Sequence, residues 1–361
     1  MDKTYQGTAG TDTGDYGDAD NWTLHDLVTP IYKWTDSPAQ TGEYYLDLLA
    51  GGDPGLTAPD KILENAVAMT LGSLGSLAAS EYAYGDNDTL GYSTVYVRLA
   101  DTTDPDLQAD GHIQHRAIPK ATDDVTLPEG IPAITTGLDQ SDVAVNRFIN
   151  DSSAAVGTRE EYLRIDPDEF TQTGDGQAYI DLRAANISPV IKRTASVSGA
   201  TKFGLYIKGS NLATLRVEAG SVLIDDGTVI ADLIGLSGAR VHATSGVTTL
   251  TDIFCLGAII ETFKTITNGI CEAGMIILGG TATVNATLLR CTGGVIQPDA
   301  PGTITDATVD KSGAFDFTKS TSARTISNAP TIRGNGKLKF NPQYVTVPAA
   351  TAEQVIQIGS V

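Results

Sequence analysis

Between Phe203 and Phe340 one pattern returns about every nineteen residues, and it restricts the fold more than any other feature of the chain. A small residue and a glycine precede a short apolar strand in EAGSVLI, LSGARVHA, CLGAIIE, EAGMIIL, CTGGVIQ, KSGAFDF and RGNGKLKF. The glycines are Gly220, Gly238, Gly257, Gly274, Gly294, Gly313 and Gly336, spaced by 18, 19, 17, 20, 19 and 23 residues. A second motif recurs in phase: TLTD from Thr249, TITN from Thr265, TITD from Thr303, TISN from Thr325, and a frayed TVNA from Thr283.

A repeat this short, rich in Val, Ile, Thr and Gly, has no room for a helix beside a strand and its turns. Each copy is read as one turn of a solenoid of two or three short strands, with the glycine at a corner that needs positive φ or close approach. Coils of a parallel β-helix pair about 4.8 Å apart, so seven make a rod on the order of 34 Å long. Two residues after each glycine stand Val222, Arg240, Ile259, Ile276, Ile296, Phe315 and Leu338. Six are apolar, which predicts an inward stack. Asp252, Asn268, Asp306 and Asn328 close the second motif and are read as corner residues tolerant of left-handed geometry.

Composition bears on partners rather than on fold. The net charge of −20 repels nucleic acid and anionic membranes, so neither is expected as a direct partner. Such a surface suits a basic partner or the solubility of a protein made in many copies. Cys255, Cys271 and Cys291 all fall inside the repeat. Cys271 and Cys291 each precede their glycine by three residues and should stack one coil apart, as buried reduced thiols rather than a disulfide. The opening MDKTYQGTAG lacks an apolar run, so neither a secretory signal nor a membrane span is expected. The sequons at Asn21, Asn87 and Asn150 are then idle.

In chain order, residues 1–33 read as an extended arm whose large apolar groups are Tyr5, Tyr16, Trp22 and Tyr32, too few for a core of its own. These four aromatics are the candidate attachment residues. Residues 34–122 form a β-rich domain, with period-two alternation in YKWTD, EYYLDLLA and STVYVRLAD. Residues 123–345 form the solenoid, its early coils irregular. REEYLRIDPDEF from Arg159 is the most helix-like piece, and Pro167 limits it to a loop or a cap. Residues 346–361 form a tail strand. The expected fold class is all-β: an N-terminal β-rich domain followed by a right-handed parallel β-helix.

Chemistry leaves few traces. HIQH at His112 and His115 puts its imidazoles on opposite faces of a strand, so no metal site is expected. No GxSxG, GxxxxGK[ST], HExxH or CxxC is present. A glycan-cleaving groove would need paired carboxylates. Asp225 and Asp226 are adjacent and face apart, whereas Asp232, Glu261 and Glu272 lie on different coils and could converge. Phe254, Phe263, Phe315, Phe317 and Phe340 are mostly inward by position, which leaves little for sugar stacking. No catalytic residue, cofactor or metal is expected.

The run from Glu43 to Ile113, with the words GDNDTLGYSTVYVRLADTTDPD, then DDVTLPEGIPAITTGLDQS and the passage from LYIKGS to LRVEAGSV, resembles tailed-phage and prophage virion structural proteins with a parallel β-helix body. The likeness covers roughly Glu43 to Val222, about half the chain. It implies a non-enzymatic capsid decoration or cement protein that stabilises a head, or alternatively a receptor-binding fibre or spike, with glycan cleavage the least favoured variant. It further implies a homotrimer on the major capsid protein lattice, made in the host cytoplasm and residing in the virion.

Overall fold

The computed structural model describes residues 2–5, 16, 19–22, 25–27, 32–48, 59–87, 92–116, 118–195, 202–348 and 356–358. The chain is all-β and divides into two compact units, Met1–Thr126 and Leu127–Val361, against an expected boundary after residue 122. A parallel β-solenoid of about 11 turns occupies residues 124–346. The repeat words mark its regular part, and coils without them precede it.

One interior column shows how the solenoid holds together. Ala178, Leu205, Val222, Val241, Ile260, Ile276, Ile296, Phe315 and Leu338 pair in register from coil to coil. All are buried. Stacking like groups in register buries each against its neighbours above and below, so every coil needs the next one. The column corrects the sequence reading at two coils. Arg240 and Ile259 face outward, and Val241 and Ile260 occupy the interior, because Gly238 sits one residue ahead of register and Gly220 pairs with Ala239. A slip of one residue in a strand exchanges its two faces. The strand Ile356–Ile358 pairs with Leu338–Phe340 and adds one more rung to this ladder.

The glycines divide into two kinds. Gly220, Gly238, Gly257 and Gly274 have φ of 94°, 92°, 120° and 82°. Gly294, Gly313 and Gly336 are not left-handed; a Cβ there would meet Cys271 Sγ at 2.5 Å, the Cys291 carbonyl at 2.4 Å and Val309 at 2.9 Å. Gly257 and Gly274 lie inside the long strands Thr249–Thr262 and Ile266–Leu278, where the ladder shifts register.

The acidic ladder also differs from expectation. Asp252, Asn268 and Asp306 sit on strands, and none of them has positive φ. Period-two geometry carries their side chains outward, where Asn268 Nδ2 donates to Asp252 Oδ1 at 2.8 Å and Asn328 Nδ2 to Asp306 Oδ1 at 2.7 Å. The frayed TVNA is out of phase, since Ala286 rather than Val284 pairs with Ile266 and Ile304. The stretch read as a loop or cap is the strand Leu163–Gln172, paired with Asp139–Asn150. Its alternation of Leu163, Ile165 and Pro167 facing inward outweighs the helical propensity of its Glu and Arg residues.

In the first unit, a sheet of the strands His25–Asp26, Ile113–Arg116, Lys61–Glu64 and Val67–Ala68 accompanies one of Tyr32–Asp36, Tyr44–Leu48, Tyr92–Arg98, Glu81–Asn87 and Thr70–Leu71. Leu27, Trp34, Leu46, Ile62, Val95, Val97 and Ile113 draw both sheets onto one core. The expected arm is corrected for its described residues. Asp2–Thr4 pairs in parallel with Asp124–Thr126, and Tyr5, Tyr16 and Trp22 are buried. Trp22 meets both tyrosines edge-on at 5.2 and 4.8 Å, and its indole N–H donates to the Tyr16 carbonyl at 2.9 Å. Three aromatic rings bury enough surface to form a small core together. Tyr32 opens a strand opposite Leu48.

Candidate functional site

Alternation that sends one set of side chains inward sends the intervening set out. On the sheet carrying the Ile276 column, the outward set forms two columns. One runs Tyr179, Tyr206, Leu223, His242, Glu261, Ile277 and Gln297. The other runs Arg240, Ile259, Met275, Val295, Ala314 and Lys337. A solenoid sheet this apolar on its outer side must be covered or leave apolar surface in water.

The early coils are covered by the chain itself. Tyr162 and Phe203, each just ahead of a strand, pack with Tyr206 and Leu223 into a buried cluster against which Tyr179 leans. Tyr179 and Tyr206 stack at 4.5 Å, and Tyr162 meets Tyr179 edge-on at 5.6 Å. Three cations lie over the rings: Lys208 Nζ is 4.2 Å from the Tyr162 centroid, Arg240 5.2 Å from that of Phe203 and Arg159 5.5 Å from that of Tyr206. The Tyr162 hydroxyl donates to Asp225, and burial together with that carboxylate pushes its pKa well above the ordinary tyrosine value. His242 Nδ1 lies 3.0 Å from Glu261 Oε2, and its ring sits between Phe203 and Phe263.

The later coils are different. Ile259 is 48% exposed and Leu256 39%, and Met275, Ile277, Val295 and Ala314 are half-buried. From Ile259 to Ala314 the second column carries no charge, and Arg240 and Lys337 stand at its ends. No described residue covers this stretch as Tyr162 and Phe203 cover the earlier one.

Behind it, inside the coil, Cys255, Cys271 and Cys291 stack in register and are fully buried. The Cys255 thiol donates to the Ala258 carbonyl at 3.2 Å and the Cys291 thiol to that of Gly294 at 3.0 Å. The two flanking thiols and burial raise the pKa of Cys271 far above its usual value, which keeps the middle thiol protonated.

The carboxylates weighed for catalysis do not come together. Asp232 pairs with Asp252, Glu261 with His242, and Glu272 lies at the bulge after Cys271. Asp225 is taken by Tyr162, and Asp226 accepts the Thr244 hydroxyl at 2.6 Å. Of the phenylalanines, Phe315, Phe317 and Phe340 are buried. His112 reaches Glu64 at 3.7 Å, and among the described residues no group of three metal-ligating side chains assembles. Of the attachment candidates, Tyr5, Tyr16 and Trp22 serve the core of their own unit. The aromatic cluster escaped sequence reasoning because it belongs to coils ahead of the regular words. The signal was there in FGLYIKGS, whose Tyr206 alternates with the inward Leu205 and Ile207. No family model, curated protein or solved structure matches the chain.

Proposed function

We propose that this chain is a non-enzymatic structural protein of a tailed-phage virion, a decoration or cement protein that works as a homotrimer on the major capsid protein lattice. What supports self-assembly is the uncovered stretch of Ile259, Met275, Val295 and Ala314, with Ile277 beside it, on a chain of net charge −20. Copies this acidic repel one another wherever charged surfaces meet. They can approach through a region free of like charge, and the second outward column, from Ile259 to Ala314, offers one along the solenoid axis. A second copy presents the same columns at the same spacing of about 4.8 Å, so parallel copies can match coil for coil. The number three and the head location come from the resemblance of the first half of the chain.

Sedimentation velocity on the parent, Ile259→Asp and Met275→Lys tests the first part. The parent is expected to sediment as an oligomer and both variants as monomers with unchanged melting temperature. A monomeric parent removes the self-assembly reading. Mixing with undecorated shells tests the second part: the parent should bind and the variants should not. A parent that ignores shells and adheres to host cells replaces the cement reading with the receptor-binding one.

A further inference from the structure

The solenoid corner that follows the cysteine column is not the same length in every coil. Cys271 and Met275 are four residues apart, as are Cys291 and Val295, whereas their in-register partners Val309 and Ala314 are five apart. The third coil therefore fits an extra residue into the corner. It does so in the turn Asp310–Gly313, closed by the Gly313 N–H donating to the Asp310 carbonyl at 3.0 Å. Lys311 is the second residue of that turn and has φ of 53°, a left-handed conformation that glycine usually supplies. Beside this turn lies a cleft of about 450 Å³ that extends over the three coils, and its lining includes Ile270, Glu272, Arg290, Thr292, Lys311 and Ser312.

The cleft carries charges of both signs that do not neutralise each other. Glu272 and Lys311 are both exposed, and among the described residues neither side chain has a hydrogen-bond or ion-pair partner. Two coils at about 4.8 Å each hold their backbones about 10 Å apart along the axis. Arg290, on the intervening coil, gives one nitrogen to Asp310 at 3.2 Å and is 52% exposed, so the rest of its fork is open. A simple anion entering here meets Glu272 and the field of a chain of net charge −20. A simple cation meets Arg290 and Lys311. A ligand bearing both charges escapes both penalties. The basic side of the cleft offers the donors of Arg290 and Lys311 and the hydroxyls of Thr292 and Ser312, which suits a phosphoryl group with its three acceptor oxygens. The Glu272 carboxylate suits an ammonium, and Ile270 supplies an apolar surface for a short methylene chain between the two.

The geometry points to a binding site for a phosphoethanolamine group, its ammonium at Glu272 and its phosphoryl at Lys311 and Arg290. The source is either a free phosphoethanolamine ester or the headgroup of a lipid, which has no net charge and escapes the repulsion that excludes anionic membranes. The site lies at a corner of the coil, apart from the uncovered column, and does not depend on the virion reading.

The test is a ligand-observed NMR titration of the full chain with O-phosphoethanolamine and two probes of one sign, glycerol phosphate and ethanolamine. Saturable binding of O-phosphoethanolamine is expected, roughly tenfold or more tighter than either of the others. Glu272→Gln should remove the advantage over glycerol phosphate. Lys311→Gly, which suits the left-handed turn, should melt no lower than the parent and still weaken binding roughly tenfold. Resistance of the buried thiols to a thiol reagent reports the fold of both variants. Flotation with phosphatidylcholine vesicles, with and without phosphatidylethanolamine, separates the sources: capture only by those containing phosphatidylethanolamine assigns the headgroup, and any other result with the small molecule bound assigns the free ester. No saturable binding up to about 10 mM, equal binding of either probe of one sign, or unchanged affinity in either folded variant would each overturn the assignment.

Discussion

Ile276 of the solenoid pairs with Ile260 on one side and Ile296 on the other, partners about one coil away in the chain, whereas Trp34 of the N-terminal unit shares its core with Leu27, Ile62, Val97 and Ile113. In the first arrangement each coil depends on its two neighbours, and stability is close to a sum of repeated terms. In the second, one cluster gathers strands from the whole unit, and the loss of any member is felt throughout. The contrast teaches where damage should spread: along the axis in the solenoid, everywhere at once in the N-terminal unit. The chain supplies separate reporters for the two. Both tryptophans, Trp22 and Trp34, lie in the first unit and all three cysteines in the second, so tryptophan emission and thiol reactivity follow unfolding independently.

The largest effect is expected at Gly274. Its φ is 82° and a Cβ would stand 2.1 Å from the Ala258 carbonyl oxygen, so Gly274→Val adds a backbone clash to a strain of about 1–3 kcal/mol. Thiol exposure should occur at a much lower denaturant concentration while the tryptophan transition stays in place. Gly238→Ala provides the control, since at φ 92° a Cβ meets nothing within 4 Å and only the strain of about 1–2 kcal/mol applies. Equal midpoints for the two variants, or a tryptophan transition that moves with the thiols, breaks the contrast.

Next in size is Trp22→Ala. With Tyr5 and Tyr16 packed edge-on against this fully buried ring, the loss should be about 3–5 kcal/mol, read by the emission of the remaining Trp34. Thiol exposure should be unchanged. A variant as stable as the parent would return residues 1–33 to the status of an arm.

The smallest effect is set by pH. Burial is the leading cause that raises the pKa of both Tyr16 and Tyr162 above the ordinary value of 10.0, with Asp123 acting on the first and Asp225 on the second. In the unfolded chain these phenols ionise first, so their contribution is complete below pH 10 and is lost as pH rises beyond it. Both reporters should therefore shift to lower denaturant above pH 10. Tyr162→Phe should flatten that slope for the thiols alone, at the cost of about 1 kcal/mol from the lost hydrogen bond to Asp225 at neutral pH. A thiol transition in Tyr162→Phe with the parent's alkaline slope counts against this assignment.

The regular coils were legible because their information is local. Glycine spacing and β-branched residues at period two specify a coil whatever the rest of the chain does, and the thiol column follows from counting. Register within a coil was less legible. Gly238 and Gly257 carry the same word as Gly274, yet Arg240 and Ile259 face water, because a one-residue offset is invisible in the word and decided by pairing with the neighbouring coil. Leu163–Gln172 became a strand for the same reason. The burial of Tyr5, Tyr16 and Trp22 had no signature, and the aromatic cover over Tyr206 left only the alternation in FGLYIKGS, which does not say what packs on it. Each joins residues far apart in sequence, so only the three-dimensional arrangement of the strands could choose which side chains meet and which outer faces stay uncovered.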